Sequence, residues 1–130
     1  LWGSDIQSEY NPYEAGLGWA VRLNQGYFLG RDALGKAKEH VTRRLCCMTL
    51  DEPGAMALGK EPLLVNGEVV GYVTSANYGY SIGKHIVYGY LPAQYAGPGT
   101  KVDVQYFGRH QGATVMPEPL FDPSNGRMKV

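Results

Sequence analysis

The pattern of apolar and polar positions changes at about residue 43 of this chain. Beyond that point, short segments alternate apolar with polar side chains, and this period of two is typical of half-buried β-strands. Turns rich in glycine and proline separate the predicted strands, which cover residues 44–50, 63–65, 68–73, 86–91, 101–107 and 113–116. Asn66-Gly67 favours a tight hairpin turn, because both residues accept positive φ angles. Five or six short strands with no helix between them predict a small closed barrel or a sandwich, from about Arg43 to Met116.

The first 42 residues carry mixed signals. Residues 11–14 read Asn-Pro-Tyr-Glu, the order of a capping box with proline at the first helical position, and predict a short helix. Alternation over residues 19–23 predicts a strand. Residues 31–39 have helical composition, with Leu34 and Ala37 expected to face inward. We therefore expect a small α part ahead of a mainly β chain.

Charge and composition narrow the classes of partner. Twelve basic residues balance twelve acidic ones, so no net field attracts nucleic acid or an anionic membrane surface. No segment approaches the roughly 18 consecutive apolar residues of a membrane span. One alternative stays open, since small barrels with exposed tyrosines include oligonucleotide-binding folds, where aromatic rings stack on bases. The tyrosines that would form such a platform are Tyr72, Tyr78, Tyr80, Tyr88, Tyr90 and Tyr106. Because lysine and arginine are not concentrated beside them, we expect neither nucleic acid nor membrane as a partner.

Residue types that carry chemistry are present but scattered. Cys46 and Cys47 are adjacent, so on a strand their side chains point to opposite faces and cannot jointly hold a metal ion. The three histidines fall in separate segments, with no carboxylate at a repeated offset. Residues 78–84 contain glycine and lysine, but not in the spacing of a phosphate-binding loop. These patterns assign no catalytic residue and no metal ligand.

Several motifs follow one another in the order of a known family. The chain has LWGSDI, NPYEAGLGWAV, FLGRDAL, GYVTS, YGYLP and PGT at residues 1–6, 11–21, 28–34, 71–75, 88–92 and 98–100. They resemble the motifs LYG-D, P-EAGL-W-V, FIGREAL, G-VTSG, A-GYVP and PGT of the glycine-cleavage T-protein family. YGYSIGK at residues 78–84 and EPLFDP at residues 118–123 look like the flavin-linked members. These members are the dimethylglycine and sarcosine dehydrogenases and oxidases.

This resemblance implies three domains of the T-protein type around a central channel for tetrahydrofolate. Residues 1–42 would end the middle, ferredoxin-like α+β domain that binds folate. Residues 43–130 would form the C-terminal domain, a Greek-key-like β-barrel. The expected partners are folate and upstream domains of the same polypeptide. The expected location is cytoplasmic, or the mitochondrial matrix in a eukaryote.

The resemblance also implies a reaction. The family passes a one-carbon unit from an amine-bound methylene to tetrahydrofolate, giving 5,10-methylenetetrahydrofolate. In flavin-linked members FAD first oxidises the N-methyl group to an iminium, so FAD is expected in the upstream part. The family's catalytic aspartate and main folate-binding glutamate precede Leu1, and we therefore expect these 130 residues alone to be inactive. The alternatives are a plain T-protein of the glycine cleavage system and a stand-alone barrel that serves as a binding module.

One site residue is expected from the resemblance, at the end of the chain. Family members bring a residue from the C-terminus back to the folate channel, and the matching stretch here is residues 121–128. Asn125-Gly126 can turn the chain. Arg127 would then present a planar cation to the glutamate tail of folate.

Overall fold

A computed structural model describes residues 1–127, so residues 128–130 of the expected C-terminal domain lie outside the described part. Residues 1–127 contain one α-helix and six β-strands, with short 3₁₀ turns at Gly18–Ala20 and Ala93–Tyr95. The elements are α1 (Arg31–Glu39), β1 (Arg43–Leu50), β2 (Pro62–Val65), β3 (Glu68–Gly79), β4 (Lys84–Pro92), β5 (Lys101–Tyr106) and β6 (Arg109–Met116). Within residues 1–127, no helix has the length and apolar character needed to cross a membrane.

The six strands form one closed antiparallel barrel in the order β1-β4-β3-β2-β5-β6. Strands β2, β3 and β4 follow one another as neighbours, and β1 lies beside β4, which is the order of a Greek key. Pairing of β1 with β6, Cys47 opposite Met116, closes the barrel and leaves no free sheet edge. The prediction of a mainly β chain with a barrel from Arg43 to Met116 is confirmed.

The barrel interior holds the hydrophobic core. Every strand contributes apolar side chains to it, and the most completely buried include Met48, Leu63, Val73, Val87, Leu91, Val104 and Val115. Along β5 the side chains alternate, with Val102 and Val104 buried and their neighbours more exposed. This alternation is the period of two that predicted the strand.

The hairpin between β2 and β3 has the predicted turn. Asn66 and Gly67 have φ angles of 52° and 80°, which a two-residue type I′ turn requires. Strand β3 is longer than predicted, because it continues past Val73 to Gly79 and pairs there with the first half of β4. This extension was not predicted because residues 74, 75 and 77 are polar, although Ala76 between them packs against the core.

Two predictions in the first 42 residues are wrong. Residues 11–14 form the expected capping box, with the Glu14 amide donating to Asn11 Oδ1 over 3.0 Å, but a turn follows instead of a helix. The Glu14 carbonyl accepts a bond from the Leu45 amide of β1, so the segment binds the barrel where a helix would have continued. Residues 19–23 form the end of a 3₁₀ turn and an irregular stretch, not a strand. The helix at residues 31–39 is confirmed, with Leu34 and Ala37 half-buried.

Candidate functional site

A long groove crosses the outside of the barrel over strands β3 and β4. It consists of two clefts, of about 730 Å³ and about 560 Å³, that share the side chains of Ile86, Tyr88 and Glu118. We call the larger one the N-terminal cleft, because residues of the 1–17 segment form its far wall. We call the other the tail cleft, because residues 118–121 form one wall and residues 79–82 the other.

Asp5 fastens the wall of the N-terminal cleft to the barrel. Its carboxylate accepts hydrogen bonds from the hydroxyls of Thr74 and Ser75 on β3, the latter over 2.7 Å. Its backbone carbonyl accepts a bond of 2.7 Å from the buried Tyr90 hydroxyl of β4. Burial acts to raise the pKa of Asp5, but the hydrogen bonds that its carboxylate accepts, those from the Thr74 and Ser75 hydroxyls among them, outweigh burial and lower it. Asp5 is therefore ionised at neutral pH and holds the segment in place.

An aromatic stack lies below this wall. The rings of Tyr10 and Tyr90 stack with centroids 3.9 Å apart, and the Arg43 guanidinium lies 4.6 Å from the Tyr10 centroid. Arg43 also donates to the Glu14 carboxylate, which raises the pKa of Arg43. These contacts join residues 1–17 to the start of β1, so the N-terminal segment and the barrel form one packed unit here.

Tyr88 stands on the wall that the two clefts share. Burial raises the pKa of its hydroxyl, and the nearby Glu118 carboxylate and Cys47 thiol raise that pKa further. Tyr88 therefore stays protonated, and with the exposed Glu118 it offers a ligand one hydroxyl and one carboxylate in an otherwise apolar wall.

The two cysteines are buried and free. Burial raises the pKa of each thiol to about 11, so both stay protonated at neutral pH and neither is a ready nucleophile. Their side chains face opposite sides of β1, as predicted, since Cys46 belongs to the core cluster and Cys47 contacts Tyr88. Within residues 1–127 no group of three or more histidine, cysteine or acidic side chains is placed to hold a metal ion.

Aromatic and aliphatic side chains form most of the lining of the tail cleft. Tyr80 and Phe121 line it from opposite sides, together with Ile82 and Leu120. Tyr80 is 89% exposed and packs edge to face against Tyr78, with ring centroids 5.0 Å apart. Such walls suit a flat, partly apolar ligand.

Arg127 does not line the tail cleft itself but contacts Phe121, which does. Its guanidinium is stacked over the Phe121 ring, 4.9 Å from the ring centroid. Asn125 has a φ of 54°, so the predicted turn before Arg127 is present. Among residues 1–127, Arg127 forms no ion pair with an acidic side chain. A stacked and uncompensated guanidinium can receive a carboxylate through two parallel hydrogen bonds.

The six tyrosines singled out in the sequence do not form one exposed platform. Tyr90 is buried against Tyr10, and Tyr88 is half-buried in the groove wall. Tyr106 packs against Phe107 at the β5–β6 turn. Only Tyr78 and Tyr80 pair as exposed rings. The roles of Asp5 and Glu118 were not predicted, because their partners lie about 70 and 30 residues away in the sequence.

Comparison with known proteins identifies the barrel. The glycine cleavage T-protein C-terminal barrel domain family matches residues 43–122. Mitochondrial dimethylglycine dehydrogenase of Mus musculus is 38% identical over 98% of this chain, which spans 15% of that protein. The aminomethyltransferase of Symbiobacterium thermophilum is 40% identical over 93% of this chain, which spans 32% of that protein.

A solved structure of an aminomethyltransferase also matches this chain. The glycine cleavage system aminomethyltransferase T from Bartonella henselae superimposes with a TM-score of 0.86 and 26% identity, over 95% of this chain and 35% of that one. The chain thus spans between about a seventh and about a third of the proteins that it matches. The closed barrel, the matched residues and the shared structure together show that this chain belongs to the glycine-cleavage T-protein family and carries the C-terminal barrel of an aminomethyltransferase-like protein.

Proposed function

We propose that this chain is part of a tetrahydrofolate-dependent, FAD-linked enzyme that oxidises an N-methyl group of dimethylglycine or sarcosine and passes the carbon to tetrahydrofolate. The observation that carries this proposal is the tail cleft, where Tyr80 and Phe121 line opposite walls and the Arg127 guanidinium stacks on Phe121 without an acidic partner among residues 1–127. The similarity to a dimethylglycine dehydrogenase over almost the whole chain supports the choice of substrate. Localisation would follow the relatives, in the cytoplasm or, in a eukaryote, in the mitochondrial matrix.

The residues present fit one end of a folate molecule. Tetrahydrofolate carries an aminobenzoyl ring and a glutamate tail with two carboxylates. Tyr80 and Phe121 would contact the ring, and Arg127 would bind a tail carboxylate. Bound tetrahydrofolate supplies the nitrogen atoms that accept the one-carbon unit. The described side chains contribute binding and orientation, and the groups that act on the amine would belong to other domains.

We further propose that residues 1–42 end the middle, folate-binding domain of that polypeptide. Helix α1 buries no side chain completely, and the stretch around it exposes large apolar groups. Trp19, Tyr27 and Leu29 are 81%, 83% and 93% exposed. Exposed apolar side chains this close together are typical of a surface that another domain covers. FAD would bind in a further upstream domain.

A plain aminomethyltransferase is the second candidate, because a relative of that name is as similar in identity as the dehydrogenase. The two differ in one observable, since only the flavin-linked enzyme is reduced by dimethylglycine or sarcosine. The stand-alone oligonucleotide-binding module is not favoured, because the charges balance and the tyrosines are dispersed. A salt-sensitive, micromolar complex of the chain with single-stranded DNA or RNA would reverse that judgement.

The proposal is tested with the full-length enzyme. Incubated with dimethylglycine or sarcosine and tetrahydrofolate, it should reduce its flavin and form 5,10-methylenetetrahydrofolate, whereas without tetrahydrofolate it should release formaldehyde. Flavin absent from the purified enzyme would favour the plain aminomethyltransferase. Formaldehyde release that tetrahydrofolate does not alter would contradict a folate-dependent function.

Arg127→Ala tests the site itself. Loss of a hydrogen bond to a charged group costs about 1.5–3 kcal/mol, so tetrahydrofolate affinity should fall by about 10- to 150-fold. Reduction of the flavin by the amine should not change, because Arg127 would contact only the folate tail. Arg109→Ala, at the exposed β5–β6 turn, is the matched control and should leave the affinity unaltered. If Arg127→Ala bound tetrahydrofolate as tightly as wild type, Arg127 would not be a folate-binding residue.

A further inference from the structure

The turn that precedes Arg127 is built around the side chain of Asp122. One carboxylate oxygen of Asp122 accepts the Gly126 amide over 2.8 Å, and the other accepts the Arg127 amide over 3.0 Å. The Asp122 carbonyl accepts the Asn125 amide over 2.9 Å. Asp122 and Asn125 both have positive φ angles, of 47° and 54°, which aspartate and asparagine tolerate better than most residues.

This arrangement fixes the backbone of Arg127 without neutralising its side chain. Both oxygens of Asp122 are used by backbone amides, and no ion pair joins Asp122 to the Arg127 guanidinium within the described residues. The guanidinium lies over Phe121, the residue just before Asp122, and Phe121 also lines the tail cleft. The turn therefore folds the chain back so that residue 127 stacks on residue 121, with its hydrogen-bond donors open to a ligand.

Preorganisation has an energetic consequence. An arginine on an unstructured tail loses side-chain and backbone freedom when it binds a carboxylate, and this loss subtracts from affinity. An arginine already held by two backbone hydrogen bonds and a ring stack loses less. Charge-assisted hydrogen bonds of the kind that Asp122 accepts are also stronger than neutral ones.

We propose that Asp122 is the positioning residue of this site: it holds Arg127 over Phe121 so that the guanidinium can bind the carboxylate tail of a folate. This inference rests on the proposed function, and it adds that the affinity contributed by Arg127 depends on Asp122. It also predicts that Asp122 has no influence on a ligand that lacks the tail carboxylates.

The test is a double-mutant cycle in the full-length enzyme, with tetrahydrofolate binding as the readout. Asp122→Gly removes both acceptor oxygens without penalising the positive φ angle. Asp122→Asn keeps one acceptor oxygen and also tolerates that angle. Each is made alone and combined with Arg127→Ala. Ser124→Ala, in the same exposed turn, is the matched control. 6-Methyltetrahydropterin, which lacks both the aminobenzoyl ring and the glutamate and so has no carboxylate, serves as the second probe.

We expect Asp122→Gly to weaken tetrahydrofolate binding by about 5- to 10-fold when Arg127 is present and by less than about 2-fold when Arg127 is alanine, because coupled residues are not additive. Asp122→Asn should lie between wild type and Asp122→Gly. Binding of 6-methyltetrahydropterin should be the same in all variants, and the control Ser124→Ala should leave both tetrahydrofolate binding and reduction of the flavin unchanged.

Each other outcome has a defined meaning. Equal weakening by Asp122→Gly with and without Arg127, or no weakening at all, would overturn the positioning role while the proposed function stands. Weaker 6-methyltetrahydropterin binding in Asp122→Gly would also overturn it, since the change would then reach beyond the tail carboxylates. Failure of the wild-type enzyme to bind tetrahydrofolate would instead overturn the proposed function.

Discussion

At the scale of single residues, the fold depends on polar side chains that join distant segments. Asp5 is 6% exposed and connects the N-terminal segment to β3 and β4 through its carboxylate and its carbonyl. The sequence contained both halves of this contact, LWGSDI and GYVTS, as motifs of a resemblance. It did not indicate that they meet, because no local pattern relates residue 5 to residues 74 and 75. Arg127 could be nominated from the resemblance, whereas Asp122 became visible only with its backbone partners.

Replacing Asp5 by alanine should destabilise the chain. The Thr74 and Ser75 hydroxyls would lose a charged acceptor inside a packed wall, which costs about 1.5–3 kcal/mol. The difference between wild type and Asp5→Ala in the free energy of unfolding, measured by urea denaturation, tests this cost. Asp32→Ala, in the exposed first turn of α1, is the matched control, and it should cost less than about 1 kcal/mol, since it removes only a favourable dipole interaction.

The effect of Asp5 should also depend on pH. Its pKa is lower in the folded state than in the unfolded state, so its contribution is fully present above the unfolded pKa, near 4, and is lost as the pH falls through the folded pKa. The stability difference between wild type and Asp5→Ala should therefore narrow below about pH 4. A difference that stays constant from pH 7 to pH 3 would contradict the ionised role of Asp5.

At the scale of elements, the sequence predicted correctly those elements whose formation depends on neighbouring residues. The Asn66-Gly67 turn and α1 depend on neighbouring residues, and both are present as predicted. The predicted helix near Pro12 failed because its capping box is followed by Gly16 and by a backbone bond from β1 to Glu14. Tertiary contacts thus replaced a helix that its first turn alone would favour. The extension of β3 beyond Val73 was missed for a different reason, because its outer residues are polar.

Two glycine substitutions test this description of the elements. A side chain at Gly71 on β3 would place its Cβ 2.2 Å from the Tyr90 carbonyl oxygen of β4, so Gly71→Ala should destabilise the chain by at least about 2 kcal/mol. A Cβ at Gly35 in α1 meets no atom within 4 Å. Gly35→Ala should therefore stabilise the chain by about 0.5–1 kcal/mol, through helix propensity. Thermal unfolding of both variants measures these changes in stability. A Gly71→Ala variant as stable as wild type would contradict the close approach of β3 and β4.

At the scale of the whole molecule, a closed barrel and its groove arise from long-range pairing. Strand count and spacing predicted a barrel or a sandwich, and only the pairing of β1 with β6 and of β2 with β5 selects the barrel. The groove needs three separate segments to meet: residues 1–17, the β3–β4 hairpin and residues 118–121. Local sequence patterns identify the side chains of such a site, but they do not predict how those side chains are arranged in space. The family resemblance supplied the function class, and the structure added the clefts and the contacts around Arg127.

Hydrogen exchange of the full-length enzyme, followed peptide by peptide with and without tetrahydrofolate, tests the central claim most directly. If the tail cleft binds the folate tail, peptides covering residues 79–82 and 118–127 should exchange more slowly in the presence of tetrahydrofolate. Peptides from β5 and β6, which do not line either cleft, should not change. 6-Methyltetrahydropterin, which has no carboxylate, should protect residues 122–127 much less than tetrahydrofolate does. Protection confined to upstream domains, with residues 79–82 and 118–127 unaffected at saturating tetrahydrofolate, would contradict the account.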